Sequence, residues 1–343
     1  MPSALTCSLL RYSGAVSLWE LVANQGRPLI VYWHNVHGPD DDLRWCREPS
    51  LSLDVELFRQ QVEFLRERYT IVPLAEAAAG RPGTVALTFD DGYRGVYQHA
   101  FPVLAAHGLP ATVFLVTERL GSSRGLWWDE LVDRLRALRR MPAGDRPLEG
   151  LAAPWPELLT EAPEPVAVDH YKRCDTATRT ILDGRLAQIA APGPASAQPV
   201  FLSEMEIRVM RAGGISFGAH TKTHPLLTWL SDAALRAELT ESKASVEALT
   251  GEGPCWFAYP DGTFGERERD AVRDAGFAGA VQTFRRPDLG GRHAVPRVGL
   301  DAESTTGPDG RLAVGSLRYA LAGVSRQRLR SMLQRRAVTA PSP

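Results

Sequence analysis

Short apolar runs that end in polar residues recur along the chain, at Leu29 to Trp33, Val85 to Phe89, Ala111 to Val116, Ile215 to Ala219 and Trp256 to Tyr259. Rich in β-branched residues, they read as buried strands. Segments with a helical apolar period lie between them: Asp54 to Arg68, Gly95 to His107, Ser203 to Ala212, Asp232 to Leu249 and Glu266 to Ala275. This alternation predicts an α/β fold, with βα units around a parallel sheet. Gly108, Gly213 and Gly276 each follow a helical pattern, where a C-terminal cap is expected.

The rhythm breaks between about Leu120 and Pro199. A helical stretch, Trp128 to Arg140, is followed by proline-rich sequence around Pro142 to Pro165, then by a helical piece near Thr176 to Ala191 and the small-residue segment Pro192 to Pro199. This region reads as an insertion and not as a catalytic domain. The expected organisation is an extension over 1–28, a domain over 29–310 carrying the insertion at about 120–199, and a basic helical tail over 311–343. Arg311, Arg318, Arg326, Arg328, Arg330, Arg335 and Arg336 lie in that tail with no acidic residue among them. Two readings stay open for it: a solvated terminal helix, or a basic surface for anionic lipid headgroups that would bring the protein to the membrane.

At 343 residues the chain has room for one large domain with insertions or two ordinary ones. Charged residues make up 23%, hydrophobic residues 44% and aromatics 8%, which excludes a disordered, collagen-like or membrane-filled chain. Lys+Arg and Asp+Glu nearly cancel at 39 and 40, so no global field favours nucleic acid, and no such partner is expected. Cys7, Cys46, Cys174 and Cys255 form no CxxC pair and read as reduced thiols. No apolar run reaches the roughly 18 to 20 residues of a membrane span. The start lacks the pattern of an export signal, so the expected compartment is the cytoplasm, or the inner face of the membrane if the tail binds there.

Candidate chemistry gathers at strand ends. Thr88-Phe89-Asp90-Asp91-Gly92-Tyr93 places two adjacent carboxylates at the end of an apolar strand, the edge where sites form in parallel α/β folds. Side chains diverge along an extended segment, so one aspartate can bind a metal while the other handles a proton. A turn with an Asx hydrogen bond is the plainer reading of that pair alone. His220-Thr221-Lys222-Thr223-His224 follows another strand, and in a helical turn its spacing would put both imidazoles on one face, as a divalent metal requires. Asp plus two His leaves a coordination position open for water.

These two motifs and the later Phe257-Ala258-Tyr259-Pro260-Asp261-Gly262 resemble, in order and context, the metal-dependent polysaccharide deacetylases, the NodB-like carbohydrate esterases. The resemblance spans roughly Leu29 to Leu300, apart from the insertion. It implies a distorted (β/α)7-type barrel and hydrolysis of an N-acetyl group on an amino sugar. It assigns Asp91, His220 and His224 to the metal, zinc foremost with Co2+, Ni2+ or Fe2+ as other divalent ions, and Asp90 to general-base duty. Family usage puts the backbone donor for the oxyanion at about Asp261. Tyr93, Tyr259 and Pro260 flank the expected site as sugar-pocket residues, with the core as the equal alternative for the tyrosines. Trp127 and Trp128 would either stack on sugar rings or pack the insertion onto the barrel.

Two departures stand out. The third motif has Ala258 where the family commonly has a base-orienting Arg, and Asp261 where it has an aromatic; Arg297 is the candidate substitute for the Arg, against an ordinary exposed arginine. The usual C-terminal Leu-x-His, whose histidine is the general acid, is not found after Pro260. Val31-Tyr32-Trp33-His34 resembles the opening segment of a circularly permuted branch, similar to poly-N-acetylglucosamine deacetylases, and makes His34 the expected acid over a structural histidine and over His293. The function expected is removal of N-acetyl groups from an amino-sugar glycan or glycan precursor, in surface polysaccharide biosynthesis. A deacetylase or deformylase of a lipid-linked aminosugar and a non-catalytic glycan-binding module are the alternatives.

Overall fold

The computed structural model describes residues 29–43, 46, 48–189, 198–283, 290–307 and 309–321. The expected 1–28 extension, Cys7, the stretch 190–197 and the tail from 322, with Arg326 to Arg336, lie outside them.

Strand β1 (Ile30–Trp33) leads through His34 into β2 (Asn35–His37), which pairs in parallel with β3 (Ser52–Asp54) as a separate ribbon. Asp54 ends the ribbon and caps α1 (Val55–Arg68), accepting hydrogen bonds from the amides of Glu56 and Leu57. Short β4 (Thr70–Ile71) and α2 (Leu74–Ala78) precede β5 (Thr84–Phe89), all six residues of which are buried. A π-helical turn at Val96–Ala100 runs into α3 (Phe101–Ala105) and then β6 (Ala111–Leu115).

The inserted region holds four helices where two were expected: α4 (Trp127–Arg140), α5 (Trp155–Thr160), α6 (Glu164–Arg173) and α7 (Thr176–Leu186). The two extra helices arise because Pro156 and Pro165 sit in their first turns, where the missing amide hydrogen costs no helical bond. Leu131, Leu135, Leu138, Leu159, Leu182 and Leu186 give this region a hydrophobic cluster of its own.

The βα rhythm then resumes with α8 (Glu204–Ala212), β7 (Ile215–Ala219), α9 (Asp232–Thr250), β8 (Phe257–Ala258), α10 (Glu266–Asp274) and β9 (Ala280–Gln282). It ends with β10 (Val295–Pro296), β11 (Val298–Gly299), α11 (Ala302–Thr305) and α12 (Val314–Leu321). Gly108 and Gly276 take the left-handed backbone expected of caps, at φ 59° and 77°, but Gly213 does not. At Gly213 a Cβ would stand 2.6 Å from the Phe101 ring, so that glycine admits a close approach, and the left-handed residue is Gly214 at φ 90°.

The main sheet runs β10-β9-β8-β7-β6-β5-β1-β11 with parallel pairing throughout, and β4 pairs with β5 off this path. Its two end strands are separated in sequence by Arg297 alone. The Arg297 amide donates to the Gln282 carbonyl at 3.0 Å on one flank, and the Leu300 amide donates to the Tyr32 carbonyl at 3.1 Å on the other. One extended segment therefore binds β9 with its first half and β1 with its second, which closes a ring of the (β/α)7 type. β1 fills the place between β5 and the closing strand. All strands of the ring point the same way, so the residues just beyond their C-terminal ends share one rim.

Candidate active site

β5 delivers Asp90 and Asp91 to that rim, and both are buried, at 3% and 2% exposure. The chain leaves the extended conformation at Asp91, with φ 69°, and again at Gly92, with φ 76°. The divergence of the two carboxylates thus comes from a left-handed turn and not from simple strand alternation. The histidine motif departs from expectation in the same way: it forms no helical turn, and Thr221 and His224 adopt φ 65° and 63°. The loop is pinned from α9, where Glu238 accepts from the amides of Lys222 and Thr223 at 2.8 and 3.0 Å and from the Thr223 hydroxyl at 2.6 Å. The Thr221 hydroxyl oxygen accepts from the His224 amide at 2.9 Å.

These two turns bring three donor atoms together. The Nε2 atoms of His220 and His224 are 3.2 Å apart and lie 3.5 and 3.3 Å from Asp91 Oδ1. A tetrahedral ion bound at about 2.0–2.1 Å would space its ligands by about 3.4 Å, so the triangle fits such an ion. Neither Asp91 oxygen has an aligned hydrogen-bond donor, although the group is buried. A buried carboxylate with no aligned donor, flanked by two imidazole nitrogens, is costly, which is a second sign of a cation's place. His220 Nδ1 lies 2.8 Å from the Ala258 carbonyl, and donation there turns Nε2 toward the cluster. Burial pushes His220 down to about 4, so it is a neutral imidazole at pH 7, the form that metal binding requires.

Asp90 faces the other way. Arg297 clamps it with two parallel bonds, Nη1 to Oδ1 at 2.7 Å and Nη2 to Oδ2 at 2.6 Å, and Nη1 also donates to the Thr88 hydroxyl at 3.1 Å. Burial alone would raise the Asp90 carboxyl, but the Arg297 guanidinium offsets it and, with His220 and His34, holds it below the usual carboxylate range. Arg297 is itself buried, its guanidinium 4.6 Å from the Tyr32 ring centroid and 5.5 Å from that of Phe114. It is not a solvent-exposed arginine; closure of the barrel carries it from the last strand to the end of β5. Ala258, at the position where the resemblance expects an arginine, contributes its carbonyl to His220.

His34 sits half-buried just past β1, with its ring edge-on to Tyr32 at 5.6 Å, and its charge is felt by both Asp90 and Asp91. His293 lies before β10, its Nε2 3.2 Å from the Phe277 carbonyl near the start of β9, at the opposite end of the barrel. Tyr93 and Tyr259 are buried in the core at 1% exposure, in keeping with the second of their two readings. Tyr93 stacks on Phe201 with centroids 5.0 Å apart, and Tyr259 stacks on Phe264 at 3.8 Å while its hydroxyl donates to the His293 carbonyl at 2.9 Å. Pro260 is buried too, so these three residues shape the rim from behind. Trp127 packs against Tyr171 and Trp229, and Trp128 stands edge-on to His224 at 4.9 Å, so the pair joins the insertion to the barrel.

Asp261 adopts φ 56° in the turn Pro260–Gly262, and its carboxylate meets Lys172 of α6 at 2.6 Å. Thr88, Tyr32, Glu238 and Lys172 were missed in the sequence. Thr88 and Tyr32 lie inside the quoted motifs, but their contacts with Arg297 span 209 and 265 residues, and no local pattern carries such pairings.

A sequence profile of the family described as polysaccharide deacetylase matches residues 77–280, more than half of the chain. A poly-beta-1,6-N-acetyl-D-glucosamine N-deacetylase of Escherichia coli K12 is 33% identical over 130 residues, covering 34% of this chain and 19% of that protein. The match therefore spans less than a fifth of the relative's length. Among solved structures, Streptococcus pyogenes deacetylase PplD in complex with acetate superposes with a TM-score of 0.51 at 16% identity, over 80% of this chain and 93% of that one. IcaB from Ammonifex degensii gives 0.50 at 20% identity, over 88% and 99%. These two similarities concern the fold.

Proposed function

Because the chain belongs to the polysaccharide deacetylase family, we propose that it hydrolyses the N-acetyl amide of an amino sugar in a glycan or glycan precursor, as a step in making a surface polysaccharide. The observation that carries this reading is the meeting, at one rim, of the Asp91–His220–His224 triangle with the clamped carboxylate of Asp90. A module that only bound a metal would have no task for a second buried aspartate held by its own arginine.

Asp91, His220 and His224 would hold a divalent metal, zinc first among the candidates, which when bound would polarise the acyl oxygen and bring the pKa of water toward about 7. Asp90 takes the proton of the attacking water. Arg297 occupies one lone pair on each of its oxygens, and the others remain free to accept. The Asp261 amide is the proposed donor to the oxyanion. His34 delivers a proton to the departing nitrogen, since a neutral amide cannot readily expel an amide anion.

The name of the Escherichia coli relative makes β-1,6-linked N-acetylglucosamine oligomers the first substrates to try. Zinc- and cobalt-reconstituted protein would be incubated with these, with β-1,4-linked oligomers, nucleotide sugars and lipid-linked aminosugars, and products read by mass spectrometry. Loss of one acetyl mass from any of them, abolished in Asp90→Asn, is the expected result. Intact substrates throughout, with metal stoichiometrically bound, would refute the hydrolase reading.

A further inference from the structure

Among the contacts of the insertion with the rim, Trp128 stands against His224, and Lys172 of α6 meets Asp261, 89 residues further along the chain. The second contact is chemically unusual. The residue whose amide is the proposed oxyanion donor carries a carboxylate, and negative charge beside a developing oxyanion opposes the stabilisation that its amide offers. The field of that carboxylate extends into the site, since it acts on Tyr32, the ring beneath Arg297. Lys172 Nζ sits 2.6 Å from Asp261 Oδ1, while the Thr263 hydroxyl donates to Oδ2 at 3.3 Å. Lys172 is held on its other side by the Trp127 ring, 6.0 Å from the ammonium, and Trp127 is packed among Trp128, Tyr171 and Trp229.

We infer that Lys172 is a positioning residue for the hydrolytic site, supplied by the insertion to neutralise the Asp261 carboxylate and turn it away from the acyl oxygen. This rests on the hydrolase reading above and adds to it a task for the insertion. Exposed ion pairs contribute little to stability, so the pair has a small effect on folding, and its consequence lies in the charge that the oxyanion meets. Arg would satisfy the same requirement, whereas an uncharged residue of similar length would not.

The test is a double-mutant cycle on the metal-loaded protein, with 4-nitrophenyl acetate and an N-acetylglucosamine oligomer as substrates and acetate binding measured by calorimetry. Lys172→Met should lower kcat about tenfold with KM within twofold, and Lys172→Arg should restore it. In the Asp261→Asn background, Lys172→Met should cost less than twofold. Acetate affinity should follow the same pattern. An equal loss in both backgrounds would overturn the inference, because Lys172 would then act without Asp261. A loss of acetate affinity in Asp261→Asn alone as large as in Lys172→Met would also overturn it, since the pair would then be a mechanical tie. If the wild type turns over neither substrate, the hydrolase reading falls, while the acetate titration still reports whether Lys172 offsets the charge.

Discussion

Arg297 shows how much one side chain can carry. Its clamp on Asp90 is fully buried and bidentate, so removing one partner leaves an uncompensated charge, at a cost of about 3–5 kcal/mol. Arg297→Met should therefore lower the unfolding free energy by about that amount in denaturant titration. Arg297→Lys should recover part of the stability and little of the activity, because an ammonium cannot make two parallel bonds. Full activity in Arg297→Lys would show that positioning by the fork is immaterial. At His34 the expectation concerns the leaving group. His34→Ala should slow an N-acetyl amide by about 10²- to 10⁴-fold and an activated acetyl ester far less, since the ester's leaving group needs no proton. Equal losses on both substrates, compared at matched metal content, would rule His34 out as the acid.

Among the elements, α8 is tied to the chain just past the Asp91–Gly92 turn. Ser203 caps it, and Glu206 closes the capping box by accepting from the Ser203 amide and hydroxyl, both at 2.9 Å. Glu206 also accepts from Arg94 Nε at 2.8 Å, and Arg94 lies two residues past the Asp91–Gly92 turn. Burial would raise the Glu206 carboxyl, but the Ser203 amide and Arg94 more than offset it, and it lies below its ordinary value. A carboxyl depressed in the fold adds stability above its unfolded pKa and loses it as pH falls through the folded one. Glu206→Gln should therefore destabilise by about 1 kcal/mol near pH 7, and the gap to wild type should shrink below about pH 4.5. A gap that stays constant from pH 7 to 3 would mean that charge plays no part.

For the molecule as a whole, the triangle of donors implies linkage between metal and fold. An ion at a hundred times its dissociation constant adds about 2.7 kcal/mol. In a chain of this size that moves Tm by about 4 °C. Chelation of the reconstituted wild type should lower Tm by that amount, and His224→Ala, starting lower, should barely respond to the chelator. The same shift in both proteins would place the ion elsewhere. Asp91 lies on the turn after β5, and His220 and His224 lie in the loop after β7, so the ion would also tie two strands of the ring to each other.

The sequence by itself determined the strand–helix rhythm, the bounds of the longer helices and strands and the two motifs, because those depend on local period, caps and short spacings. β5, β7 and the helices starting at Val55, Glu204 and Asp232 follow directly from apolar runs and from Asp54, Ser203 and Ser231 as caps. Strands β9, β10 and β11 were not legible, since two or three residues hold no pattern and their pairing is set by neighbours far away in sequence. The same physics explains the site. Donor types could be read from the chain, but the left-handed turns at Asp91, Thr221 and His224 could not, since non-glycine residues adopt them only where surrounding contacts hold them. Only the tertiary structure brought Arg297 to Asp90 and Lys172 to Asp261, because closing the barrel and folding the insertion back onto its rim join residues 207 and 89 positions apart.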